Sequence, residues 1–176
     1  MASKSTITPH PPHVATSNMP REGFLHNETV FGAILRGELP ATVLYEDADV
    51  LCFKDIRPVS DHHTLVIPKR WIADSNHLVA QDADLVRHMM DVAKRVLAEE
   101  RPDVNIDAAL ATGSISLGFH RWPAISVHHL HLHCIYPMPC PFWWHRWLHP
   151  KEYGPFYLSG MSVLENLSTR AASMTN

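Results

Sequence analysis

"SVHHLHLHCIYP", Ser126 to Pro137, places four histidines within six residues of a stretch that otherwise has the side chains of a buried strand. Side chains alternate across a strand. Read that way over Ser126–Tyr136, His129, His131 and His133 share one face with Val127 and Ile135. Leu130, Leu132 and Cys134 share the other with His128. The second face is apolar and suits packing on helices, so His128 reads as structural. The first carries three imidazoles, successive ones roughly 6.5–7 Å apart at the backbone. Three readings compete for it. A solvated polar face would not need strict alternation beside a face of core residues. A metal site has the right ligand type, since three histidines suit catalytic zinc, but successive same-face positions on one strand spread the nitrogens too far for easy facial coordination. Nucleophilic catalysis on phosphorus uses all three residues at this spacing. One near-neutral imidazole attacks, and its neighbours act as acid, base or charge stabiliser.

Outward from this strand the chain alternates short apolar runs with turn signals. Pro137, Pro139 and Pro141 forbid a central strand beyond Tyr136. Upstream, "NETVFGAILRGELP" predicts a helix capped by Asn27, with Val30, Phe31, Ile34 and Leu35 on one face and Gly37 and Pro40 ending it. Val43–Tyr45 and Val50–Phe53 flank Glu46-Asp47-Ala48-Asp49 and predict a β-hairpin. "HTLVIPK" is a third strand ended by Pro68. Gln81–Glu100 is the clearest helix, with Leu85, Val86, Met89, Val92, Ala93 and Val96 forming an apolar stripe. A fourth strand is expected near Gly113–Gly118, then a "GFHRWPAI" loop before the histidine strand. A short helix is expected near Ser162–Ala172. Helix, three strands, helix and two strands make an α+β class with a five-stranded, mainly antiparallel sheet.

Composition narrows the field. The 176 residues are 45% hydrophobic, enough for one domain with a true core, and the net charge of −3 offers no basic field for nucleic acid. Three cysteines, Cys52, Cys134 and Cys140, are odd in number and lack CxxC spacing, which fits a reducing compartment better than a disulfide framework. The longest apolar runs are too short to span a bilayer, and the N-terminus lacks the apolar core of a secretory signal. The expected location is cytoplasm or nucleus. Residues 1 to 22, rich in Ser, Thr, Pro and His, are expected to be a disordered tail.

His-Leu-His-Leu-His-Cys-Ile, 129 to 135, resembles the H-x-H-x-H-φ-φ signature of the histidine triad (HIT) superfamily. "FGAILRGELPATVLYEDADVLCFKDIRPVSDHHTLVIPK" is similar to the N-terminal half of Hint-type HIT proteins. "GFHRWPAISVHHLHLH" is most similar to the third and fourth Hint subtypes. The resemblance spans roughly Thr29 to Tyr136. It implies a HIT domain over 23 to 140, with an N-terminal helix and one long helix packed on the sheet. An aromatic-rich extension over 141 to 176, ending in the short helix, follows it.

The resemblance also implies an enzyme that hydrolyses adenosine 5′-phosphoramidates to AMP and an amine. By the family pattern His131 attacks the α-phosphorus and forms a covalent AMP-histidine, while His129 and His133 position the phosphate and manage protons. His63 backs the triad, Asp55 and Ile56 hold ribose and base, and Ser126 contacts the phosphate or the leaving nitrogen. No cofactor or metal is required for this route. The implied partners are AMP conjugates and a second copy of the chain, with Gln81–Glu100 as the dimer face. Without the resemblance, Asp55 reads as an Asx-turn, His63 as a structural histidine, and Ser126 is uninformative. His120 either lines the substrate entrance or caps a loop. The aromatics Trp122 and Trp143–Trp147 either stack on a base or cover a core edge.

Departures from the pattern matter. Thr29, Gly32 and Trp71 stand where many Hint proteins carry zinc ligands, leaving His129 alone, so no structural zinc is expected. Ala124-Ile125 replaces the usual Gly-Gln pair before the triad serine, and Gly118 or Phe119 stands where many relatives have asparagine. The alternatives are a slowly turning nucleotide-binding regulator, a hydrolase of nucleic-acid 5′-adenylates, and a dinucleoside polyphosphate hydrolase. The acidic chain argues against the second, and the missing Gln against the third.

Overall fold

The computed structural model describes residues 27–138 and 156–174. The expected N-terminal tail and the aromatics from Trp143 to Trp147 lie outside the described residues. Helix α1 spans Val30–Leu35. Its cap is Thr29, whose hydroxyl accepts from the Gly32 amide, rather than the expected Asn27. Phe31 is buried, with Ile34 and Leu35 packed beside it, whereas Val30 faces solvent. The hairpin forms as expected, with β1 at Val43–Glu46 and β2 at Val50–Lys54. Asp47 closes its turn by accepting from the Asp49 and Val50 amides. Strand β3 is His62–Pro68. Two 3-10 turns, Ser75–His77 and Ala80–Asp82, lead into α2, Ala83–Glu100.

Three differences from the sequence expectation bear on the site. A short helix, α3 at Ile106–Ala111, precedes β4 and moves that strand to Ser116–His120, so Phe119 and His120 belong to the strand and not to the loop. Strand β5 begins only at Leu132 and runs to Tyr136; Ser126–His131 is irregular backbone. A sixth strand, β6 at Tyr157–Ser159, is added before α4, Gly160–Met174.

The sheet order is β1-β2-β3-β5-β4-β6, and every neighbouring pair is antiparallel. Alternation gives it two unlike faces. Val50, Cys52, Val66, Leu132 and Cys134 meet α2, whose Val86, Met89, Ala93 and Val96 are buried in the main core together with Val163 and Leu167 of α4. On the opposite face Leu51, Phe53, Leu65 and Ile67 form a smaller cluster under Phe31 of α1, joined by Val127. Leu130, Leu132 and Cys134 therefore pack as the sequence predicts. His128 does not: it is exposed, because the irregular backbone before Leu132 releases it from strand alternation. The C-terminal segment seats tightly. A Cβ on Gly118 would lie 2.4 Å from the Leu158 carbonyl oxygen, so β4 admits β6 at this distance only because position 118 is glycine. No helix of the described residues is long and apolar enough to cross a membrane.

Candidate active site

The sheet register carries the imidazoles together. His133 pairs with Leu65 of β3 on one side and Gly118 of β4 on the other, and His63 pairs with Ile135. His63 and His133 thus project from the face opposite α2. His131 enters the same space from just before β5. Two residues beyond Gly118, His120 reaches it from β4. The ring centroids of His120 and His133 are 4.2 Å apart, those of His131 and His133 4.9 Å, and those of His120 and His131 6.5 Å. His63 lies 5.2 Å from His133, and Phe31 meets His131 edge-on at 5.2 Å.

Hydrogen bonds set the ring protonation. Nδ1 of His131 lies 2.7 Å from the His129 carbonyl oxygen. A carbonyl only accepts, so Nδ1 carries the hydrogen and Nε2 keeps its lone pair. Nδ1 of His63 accepts from the Val59 amide at 3.3 Å, so its Nε2 bears the hydrogen and donates to Nδ1 of His133 at 2.9 Å. His133 in its neutral form then carries its own hydrogen on Nε2. Asp55 Oδ2 stands 3.5 Å from His63 Nε2 and completes the row Asp55, His63, His133. Burial pushes the His131 imidazole below its usual range, against the pull of the His129 carbonyl and the Asp55 carboxylate. His63 is lowered mainly by burial as well. His131 therefore stays neutral, and nucleophilic, at neutral pH.

His129 is placed differently from the expectation. Its ring is fully buried, and both nitrogens bond within the protein: Nε2 donates to the Pro68 carbonyl oxygen at 2.8 Å, and Nδ1 accepts from the Asn27 side-chain amide at 2.6 Å. Burial pushes it down to about 4. The sequence reading set this ring beside a phosphate. The structure gives both ring nitrogens protein partners, while the ring still borders the pocket beside His131 and lies 6.0 Å from Phe31. Asn27, expected as a helix cap, is buried and also accepts from the Thr29 amide and hydroxyl.

Asp55 lies beside His63, and its other oxygen accepts from the Arg57 amide, so the Asx-turn is present too. Ile56 is 94% exposed and Ser126 is exposed. The sequence does not decide between an entrance role and a loop cap for His120, whose one signal is its place in the loop motif before the triad. A pocket opens beside His131, with Asp74, Ser75, Phe119, His120, Ile125 and Val127 in its walls. Among the described residues two overlapping donor sets could hold a metal: His120, His131 and His133, and Asp55, His63 and His133. Within each set the ligand atoms lie within 4.8 Å of one another. Of the positions where the family resemblance implies zinc ligands, Thr29 caps α1 and Trp71 donates its indole N–H to the His128 carbonyl.

Residues 28–144 match the family model described as "Scavenger mRNA decapping enzyme C-term binding". The chain is 40% identical over 122 residues to "Adenosine 5'-monophosphoramidase HINT3" of Danio rerio, covering 68% of this chain and 71% of that protein. It is 35% identical over 143 residues to "Bifunctional adenosine 5'-phosphosulfate phosphorylase/adenylylsulfatase HINT4" of Arabidopsis thaliana, covering 78% and 90%. Among solved structures, a HIT family hydrolase from Legionella pneumophila superposes with a TM-score of 0.54 at 32% identity, covering 64% of this chain and 96% of that one. A HIT family hydrolase from Clostridium thermocellum gives 0.53 at 31% identity, covering 65% and 94%.

Proposed function

Since this chain belongs to the histidine triad family and is a hydrolase, we propose that it cleaves adenosine 5′-phosphoramidates at the P–N bond, giving AMP and an amine. One observation carries this reading: the Nδ1–H of His131 is tied to the His129 carbonyl, which leaves the Nε2 lone pair to attack phosphorus. In the first step Nε2 bonds to the α-phosphorus as the P–N bond breaks, and the amine leaves with a proton. In the second, water adds to phosphorus, the N–P bond breaks, and the electron pair returns to Nε2. His133 offers its Nε2–H to a phosphoryl oxygen, and the bond from His63 holds that tautomer. Asp55 and the exposed Ile56 take the ribose and base, and Ser126 takes the phosphate or the leaving nitrogen. His129 acts as a positioning residue here, since its carbonyl orients the nucleophile while its ring is anchored to Pro68 and Asn27.

Mixing the protein with an AMP-amine donor and recording intact mass tests this. An added AMP mapped to His131, and absent in His131→Ala, is expected; equal turnover by the two proteins overturns the reading. The Arabidopsis relative's name supports a second donor, adenosine 5′-phosphosulfate, which would pass through the same AMP-histidine with sulfate as leaving group. The same reading includes a homodimer joined along α2, and sedimentation as a monomer at micromolar concentration rules that out.

A further inference from the structure

The reaction just proposed needs a proton at the departing nitrogen, because an amine does not leave phosphorus as an amide anion. His129 cannot deliver it, with both ring nitrogens bonded elsewhere. A second imidazole in the wall of the same pocket is His120. It lies 4.2 Å from His133 by ring centroids, and its ligand atom is within 4.8 Å of those of both His131 and His133. It is held there by β6: His120 pairs with Tyr157, the two rings lie 5.7 Å apart, and the Arg121 amide bonds the Phe156 carbonyl at 2.7 Å.

The pocket on the His120 side of His131 has its own character. Neither Asp55 nor Ile56 is in its walls, so it is separate from the groups assigned to the nucleoside. Ile125 and Val127 give it an apolar side. Ser75 Oγ is buried there and has no hydrogen-bond partner among the described residues. The Asp74 carboxylate beside it caps the 3-10 turn by accepting from the Asn76 amide and the His77 ring. An unsatisfied buried hydroxyl is costly unless a ligand engages it.

We propose that this pocket is the leaving-group subsite and that His120 is a further catalytic residue, protonating the amine. This rests on His131 being the nucleophile. In imidazolium form His120 gives its proton to the nitrogen as the P–N bond breaks and becomes neutral. In the second step it takes a proton from the attacking water, whose hydroxyl goes to phosphorus, and the imidazolium is restored. Ser75 accepts a hydrogen bond from the released amine, and Asp74 favours its cationic form. The role applies to any AMP–amine donor whose leaving nitrogen needs a proton.

The test compares two donors of the same AMP group on the full chain. AMP-alkylamide needs a proton at its leaving group, and AMP p-nitrophenyl ester does not. The rate of AMP adduct formation in a single turnover is the readout. His120→Ala is expected to slow adduct formation from the alkylamide by about 10²–10³-fold and from the ester by less than about fivefold. An equal loss on both donors overturns the acid role. His131→Ala abolishes the adduct from both, so failure of the nucleophile assignment is distinguishable from failure of this one. As a second measurement, Ser75→Ala is expected to raise the ratio of KM for the alkylamide to KM for the p-nitrophenyl ester about fivefold, because only the alkylamide has an N–H to donate to that hydroxyl. A parallel change for both substrates overturns the subsite.

Discussion

Leu132 and His133 are neighbours in β5 and belong to two unlike regions. Leu132 enters the face covered by α2 and α4, where an apolar core has buried Thr64 and the His62–Glu100 pair beside it. His133 enters the opposite face, where Phe31 of α1 covers the β1-β2-β3 side and meets His131 edge-on. Over β3, β5 and β4 that face is filled by imidazoles from four places in the chain, His63, His120, His131 and His133. The helices supply burial without chemistry on one side. On the other the rings bury one another and exchange hydrogen bonds, so they lose solvent while keeping polar partners. That is why His63 and His131 are held neutral by burial and yet remain within reach of a ligand beside the pocket.

The comparison can be broken by changing one side at a time. His131→Ala is expected to lower turnover by about 10⁴-fold or more, with the melting temperature little moved. Leu132→Ala, one residue away and on the helical face, should do the reverse. It should cost about 3 kcal/mol of stability for a fully buried leucine, measured by urea denaturation, while turnover per folded molecule stays near wild type. If the two variants shift the same observable, the division between faces is wrong.

His129 lies on the boundary between these regions and sharpens the contrast through pH. Its folded value is pushed from 6.5 to about 4, chiefly by burial. The fold therefore prefers the neutral ring. Its contribution is fully present above about pH 6.5, is lost as pH falls toward 4, and levels off once the folded ring also protonates. The loss should reach about 3 kcal/mol, visible in denaturant midpoints between pH 7 and 4. His62 and His63, also lowered by burial, act in the same direction. His129→Gln should flatten this dependence.

Smaller effects are expected at the anchor of that ring. Asn27→Ala removes the amide that bonds His129 Nδ1 and the oxygen that receives Thr29. It should cost about 1–2 kcal/mol and slow turnover only as far as the His129 carbonyl shifts. Thr29→Ala, which removes the α1 cap, should cost about 1 kcal/mol and leave kinetics near wild type. Thermal melts paired with turnover measurements separate the two.

The strongest local patterns were readable without coordinates. The hairpin, α2, the last helix, and the division of Leu132 and Cys134 from His133 all follow from periodicity, because each depends on residues close in the chain. The His-x-His-x-His spacing also pointed to the family. Where reading failed, the deciding contact was distant. Alternation holds from His129 to Ile135 and fails at His128, which is exposed in the irregular backbone before Leu132; for His129 it gives the face but not the partners of its ring nitrogens. The partner that fixes the His129 ring, Asn27, is 102 residues away.

The sequence by itself determined an antiparallel α+β fold and a strand with chemistry on one face, since side-chain types that alternate with a period of two match the pleat of an extended strand and no helical repeat. Only the tertiary structure decided which imidazoles meet. The pairing of β6 with β4 sets His120 among them, and hydrogen bonds to Pro68 and Asn27 occupy both ring nitrogens of His129. The physical reason is that the orientation of a ring follows the partners of its two nitrogens, and those partners come from segments that no local pattern connects.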